Sequence, residues 1–270
     1  GTGTFTNAVG NSYTARTITV AATDGASYVY PYSKTSVDEG DAVSIGFGSS
    51  GTDVSILKSV TVSGKVSGRT IGTKTMANDV RILDVNDDGA AKRVYYSRLD
   101  GATLTDSNVR YCAVNSAGEI TDLILRDFTG DLYKYGIITS VKETSTDMNL
   151  SGSYTYLVGG EKRTLSTMNM TLGASYGPAR LTIEDGQLTA VRALEKIKNP
   201  DAITQLGVTK DGESWRFSDD CDVYLYADSN YSLLSLNELR NNFDKYSITC
   251  YYDKDTRYGG RIRIVAARAK

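Results

Sequence analysis

Four hairpin signatures spaced along the chain constrain its fold more than any single residue does. The clearest runs from Val109 to Ala113, turns at Asn115-Ser116-Ala117-Gly118 and returns from Glu119 to Phe128. In its first arm Val109, Tyr111 and Ala113 share one parity and Arg110 and Cys112 the other, which is the period-two pattern of a strand with one buried face. Counterparts fall at Ala42 to Val60, Ala179 to Leu194 and Ser247 to Ala267. Their turn glycines Gly51, Gly118, Gly186 and Gly260 are 67, 68 and 74 residues apart. A spacing near 70 reads as a tandem array, and units that small gain stability by packing on their neighbours.

A second marker has a similar spacing. Gly64, Gly136 and Gly207, each within a strand-like stretch, lie 72 and 71 residues apart. A glycine inside a strand marks a bend or a close backbone approach. Together the markers predict an incomplete N-terminal β module over residues 1–60, a β module over 61–131, a divergent one over 132–198 and a last one over 199–270. The second and fourth share a layout. Val80 to Leu83 corresponds to Val223 to Tyr226, and each is followed by a short helical turn, Ser97 to Leu99 in one and Ser235 to Leu239 in the other. Ser235 and Glu238 form a capping box, so one helical turn is expected to plug the end of a barrel. Ser36 to Glu39 has the same pattern and predicts another turn. In the third module Glu143 to Gly152 and Gly173 to Pro178 read as loops, and Gly159-Gly160 reads as a hairpin turn. Pro31 cannot donate to a central ladder and places Tyr28 to Tyr32 at a sheet edge. The expected fold is all-β, with tandem small β-barrel or meander modules and single helical turns. The 26 Gly, 19 Tyr and only 3 Pro agree with it.

Composition excludes several chemistries. The chain has no histidine, which removes Ser-His-Asp and Cys-His catalysis and histidine-ligated zinc. A formal net charge of -2 makes no case for a nucleic acid or an acidic membrane face. Arg257, Arg261 and Arg263 near Tyr251, Tyr252 and Tyr258 have the look of a nucleic-acid groove. The alternation of Arg261 and Arg263 with Ile262 and Ile264, however, reads as a half-buried strand with a solvated face. No apolar run reaches the length of a membrane span. Cys112, Cys221 and Cys250 lack CxxC spacing and an even count. Either all three are packed free thiols, or Cys221 and Cys250 pair in an oxidising compartment.

The kinked strand, short strand, Ser-Leu-x-Glu-Leu turn and closing hairpin carry a resemblance, together with the segments GEITDLILRDFTGDLYKYGIITSV and FDKYSITCYYDKDTRYGGRIRIVAA. Over most of Val60 to Lys270 the chain resembles the repeat region of S-layer-homology-domain proteins of Gram-positive anaerobic bacteria. The wall-anchoring repeats of those proteins are not visible in it. The resemblance implies an exported, extracellular, cell-wall-associated surface protein, and it supplies no active-site residue. The abrupt start at Gly1-Thr2-Gly3-Thr4 reads as an excised or processed piece of a longer protein.

Two constellations are candidate ligand sites. Asp84-Val85-Asn86-Asp87-Asp88-Gly89 matches the first half of an EF-hand calcium loop, making Asp84, Asn86 and Asp88 the candidate metal ligands and calcium the one cofactor suggested. Its twelfth position is Tyr95, where the loop needs a carboxylate, and a hairpin turn explains the same residues. Trp215, Tyr251, Tyr252 and Tyr258 concentrate in the last module, where exposed rings would stack on a cell-wall or surface glycan, although tyrosine also serves sheets without any ligand. The expectation is a non-enzymatic cell-surface structural or display protein acting as a spacer or stalk. The alternative is a carbohydrate- or peptide-binding surface module.

Overall fold

The computed structural model describes residues 1–270 apart from Ser33, Thr35, Ser49, Ser50, Asp147, Met148, Asp185 and the side chain of Asn149. The protein is all-β, and among the described residues no helix is long and apolar enough to cross a membrane. The chain divides into two compact units, Gly1–Leu132 and Tyr133–Lys270. Each runs through the same order of elements, five strands and then a seven-stranded sheet carrying one short α-helix.

In the first unit β1 (Thr2–Thr6), β2 (Ser12–Ala21) and β3 (Ser27–Pro31) form an antiparallel meander, and β4 (Val43–Gly48) and β5 (Gly51–Ile56) form a separate hairpin. Pro31 sits at the end of β3, which pairs only with β2, so the edge placement expected from it holds. There follow β6 (Gly64–Ser67), β7 (Thr70–Ile71), β8 (Lys74–Val85), β9 (Ala91–Val94), α1 (Tyr96–Leu99), β10 (Thr103–Leu104), β11 (Val109–Val114) and β12 (Ile120–Arg126). Their order across the sheet is β10-β6-β7-β8-β12-β11, with β9 on β8.

In the second unit β13 (Lys134–Thr146), β14 (Asn149–Val158), β15 (Glu161–Met168), β16 (Gly177–Glu184) and β17 (Gln187–Ala193) make one antiparallel sheet ordered β15-β14-β13-β16-β17. β15 comes alongside β17 without pairing, which curls this sheet into a half-barrel. Ile138, Tyr154, Leu181 and Leu188 fill it. Then come β18 (Glu195–Lys198), β19 (Ala202–Ile203), β20 (Gly207–Lys210), β21 (Glu213–Ala227), β22 (Asn230–Leu233), α2 (Leu236–Asn241), β23 (Tyr246–Tyr252) and β24 (Ile262–Ala269). The order is β18-β23-β24-β21-β20-β19, with β22 on β21.

The two seven-stranded sheets share an uncommon feature, a closing strand antiparallel to its hairpin partner and parallel to the long strand. Cys112 faces Leu123, which faces Ile82, and Cys250 faces Val265, which faces Val223. Val223 is therefore equivalent to Ile82. The sequence match to Val80 is two residues out, a slip that keeps the same face because side chains alternate. A parallel pair needs a crossover, here supplied by the short strand, the helix and the first hairpin arm. Each helix drops one fully buried leucine, Leu99 or Leu239, into its sheet's core. Burying such a side chain contributes roughly 1.5–3 kcal/mol. The incoming chain covers the free edge of the closing hairpin in both sheets. Val60 N donates to Cys112 O at 2.8 Å, and Ile197 of β18 faces Cys250.

Three expectations are corrected. Glu143 to Gly152 forms the facing ends of β13 and β14, with Thr146 opposite Asn149, although Asp147 and Met148 between them lie outside the described residues. Its polar strand residues are solvated, so the stretch shows no apolar alternation. Ser36 to Glu39 forms no helix. Asp38 N donates to Asp41 Oδ2 and Asp41 N to Asp38 O, closing a turn instead. Gly64, Gly136 and Gly207 fall in β6, β13 and β20, three places of different rank. The physical reading of them survives, since a Cβ on Gly136 would lie 2.7 Å from Leu157 O and one on Gly207 would collide with Trp215 O.

Candidate functional site

The four aromatic candidates of the last sheet do not form one platform. Tyr251 and Tyr252 are consecutive in β23 and point to opposite faces. Tyr252 joins Trp215, with ring centroids 6.5 Å apart and tilted by 41°, and both pack partly buried against the core around Ile248 and Val265. Tyr251 lies against the buried group Tyr135, Ile137, Leu157, Tyr224 and Ile264, by which the half-barrel seats on the following sheet. Tyr258 stands apart in the turn Thr256–Tyr258, exposed, with the Arg257 guanidinium 5.8 Å from its ring. Burial pushes the phenols of Tyr251 and Tyr252 upward.

The most charged interior of the second unit surrounds Arg263. Its side chain is fully buried and that of Asp253 is 5% exposed. Asp253 Oδ2 accepts from Arg263 Nη2 at 2.8 Å and Nε at 3.2 Å, and from Tyr135 Oη at 3.1 Å. Asp253 Oδ1 accepts from Arg261 N at 2.8 Å. The guanidinium also lies 4.5 Å from the Tyr135 ring centroid. Burial holds the Tyr135 phenol well above its usual range, so it remains a neutral donor. This corrects the reading of Arg261 and Arg263 as a solvated face, because both arginines and Ile262 and Ile264 are buried. A charge so enclosed ties β13 to β24 and presents nothing to a polyanion.

Asp84 has the equivalent role in the first unit. It is fully buried, and its Oδ1 accepts from Phe128 N at 2.9 Å while Oδ2 accepts from Thr129 N at 2.7 Å and Thr129 Oγ1 at 2.6 Å. Beside it Arg98 binds Asp131 through Nε at 2.8 Å and Nη2 at 2.9 Å, and Thr129 O at 2.7 Å. Asn86 Oδ1 accepts from Ala90 N at 2.8 Å, and Asn86 Nδ2 donates to Asp88 Oδ2 at 3.3 Å, closing the turn between β8 and β9. The oxygens of Asp84 and Asn86 that a cation would take are thus engaged by protein donors. Among the described residues no group of three or more His, Cys, Asp or Glu is placed to hold a metal.

All three cysteines are free, with Cys112 and Cys250 buried and Cys221 half-buried. Burial raises each thiol, that of Cys250 up to about 12. The thiolate is the reactive form, so these residues act as packing groups.

The largest concavity lies in the first unit, a groove of about 1380 Å³ between the five N-terminal strands and the outer face of the following sheet. Ile18, Val20, Val43, Ile45, Leu83 and Ile124 give it apolar walls. Arg81 and Asp122, paired at 2.7 Å, stand on its floor. Sequence reasoning missed it because its residues come from strands far apart in the chain, none with a motif. No family model matches this chain, and no curated protein or solved structure matches it.

Proposed function

We propose that the protein is a non-enzymatic component of a bacterial cell surface, in which tandem β units space or display other domains away from the wall. The resemblance to the repeat region of S-layer-homology-domain proteins points the same way and brings an extracellular, wall-associated location with it. The observation that carries the reading is how the buried ionisable groups are used. Arg263, Asp253 and Tyr135 close one unit and Asp84, Arg98 and Asp131 help to close the other. Such networks hold elements together and leave no activated nucleophile or proton-transfer pair.

Labelling of intact cells with an antibody to the chain, combined with single-molecule stretching, tests this reading. Surface labelling and two unfolding steps, one per unit, are expected. Purely internal labelling would sink it. A second reading, carbohydrate binding, is supported by the Trp215–Tyr252 ring pair alone. A glycan array separates the two, because binding that disappears in Trp215→Ala would replace the spacer reading with a lectin-like one.

A further inference from the structure

In the second unit β13 serves two neighbours. Its residues Lys134–Ile138 pair with Gly177–Leu181 of β16, and Ile137–Thr146 pair with β14. The units align at their first hairpin, where Thr6 faces Ser12 and Thr146 faces Asn149. The next hairpin confirms the register, since Ala21 facing Ser27 falls where Val158 faces Glu161. In this register the Thr17 N to Gly1 O hydrogen bond of 3.0 Å corresponds to the pairing of Tyr154 with Val141. β1 is thus the counterpart of the end of β13 only. The place held in the second unit by the seven residues Lys134–Ser140 is, in the first unit, the groove.

Both edges that such a strand would join are open there. Beyond Thr17, the Ile18–Val20 edge of β2 that looks away from β3 has no pairing among the described residues. The outer edge of β4 at Val43–Ile45, the counterpart of Ala179–Leu181, has none either. Elsewhere the arrangement is shared, because β3 approaches β5 as β15 approaches β17. The break is therefore confined to one seam. Its apolar walls call for alternating apolar side chains, and its open backbone edges call for a strand.

We infer that the groove of the first unit receives an extended β-strand of about seven residues running in line with β1, which joins β2 to β4 and completes a five-stranded sheet. The strand has the pattern of Lys134–Ser140, with apolar residues toward both the sheet interior and the Leu83–Ile124 floor. The test places a copy of Lys134–Ser140 directly ahead of Gly1 in the full chain and follows backbone amide exchange. A matched graft carries proline in place of the residue copied from Ile137. Exchange at Ile18–Val20 and Val43–Ile45 should slow at least about tenfold in the first graft and not in the second, because proline removes a ladder donor. Unchanged exchange in the first graft, or equal slowing in both, would overturn the proposal.

Discussion

The second unit joins its five strands into one sheet, fills that sheet with its own core and seats it on the next sheet through Tyr135, Ile137 and Leu157. The first unit runs through the same strands but splits them into a meander and a hairpin, and among the described residues before Lys58 only Tyr32 and Val54 are buried apolar side chains. The difference lies in one element. β13 has 13 residues and reaches two partners, whereas β1 has 5 and reaches one. A sheet whose middle strand is too short cannot enclose a core, however well its remaining strands are patterned.

Alkali should separate the units most. Burial raises Tyr135, Tyr154, Tyr224, Tyr231, Tyr251 and Tyr252 together with Cys221 and Cys250 in the second unit. In the first unit it raises Tyr111 and Cys112. A raised folded pKa contributes stability that is complete below the ordinary value, 9.0 for the thiols and 10.0 for the phenols, and is lost as pH climbs above it. Denaturant midpoints of the second unit should therefore fall above pH 9 more steeply than those of the first. Trp215, the single tryptophan, reports the second unit by fluorescence, and amide exchange reports the first.

Asp253→Ala should come next, costing the second unit about 3–5 kcal/mol by leaving the Arg263 charge buried and unpaired. The matching change in the first unit, Asp84→Ala, strips acceptors from the buried Phe128 and Thr129 donors at about 1–3 kcal/mol. If Asp253→Ala left the Trp215 unfolding transition in place, the closing role of that network would be refuted. Leu239→Ala and Leu99→Ala should each cost about 2–5 kcal/mol, each confined to its own unit. Equal loss of exchange protection in both units after either change would show that they do not fold as separate bodies. The smallest contrast concerns the helix starts. Ser235 Oγ accepts from Glu238 N at 3.0 Å, whereas Tyr95 makes no side-chain cap before α1. Ser235→Ala should cost about 1 kcal/mol and Tyr95→Ala much less, as read from thermal melts.

Much of the local structure was legible. The turn at Asn115 to Gly118, the capping box at Ser235 and the Gly159-Gly160 hairpin all formed where their residues placed them, because each depends on contacts a few residues apart. Glu143 to Thr146 hid a strand, since a solvated strand end has no apolar alternation to reveal it. β1 was equally hidden in a run of Thr and Gly. The buried state of Arg263 was out of reach for a different reason, because its partner network includes Tyr135, 118 positions from Asp253. Of the ligand candidates, Trp215 and Tyr252 were brought together, while Tyr251 and Tyr258 were sent elsewhere by the alternation of β23 and by the turn that follows it.

By itself the sequence determined the all-β class, the hairpins and a spacing near 70 residues, since alternation, turn chemistry and capping are local. The tertiary structure decided that neighbouring stretches of that length are of two kinds and that the true repeat is the five-plus-seven-stranded unit. It also decided that the last strand lies parallel to the long one, that buried charges close each unit, and that one seam stands open in the first. Those outcomes depend on which distant edges meet, and hydrogen bonding between edges leaves no periodic mark in either strand's sequence.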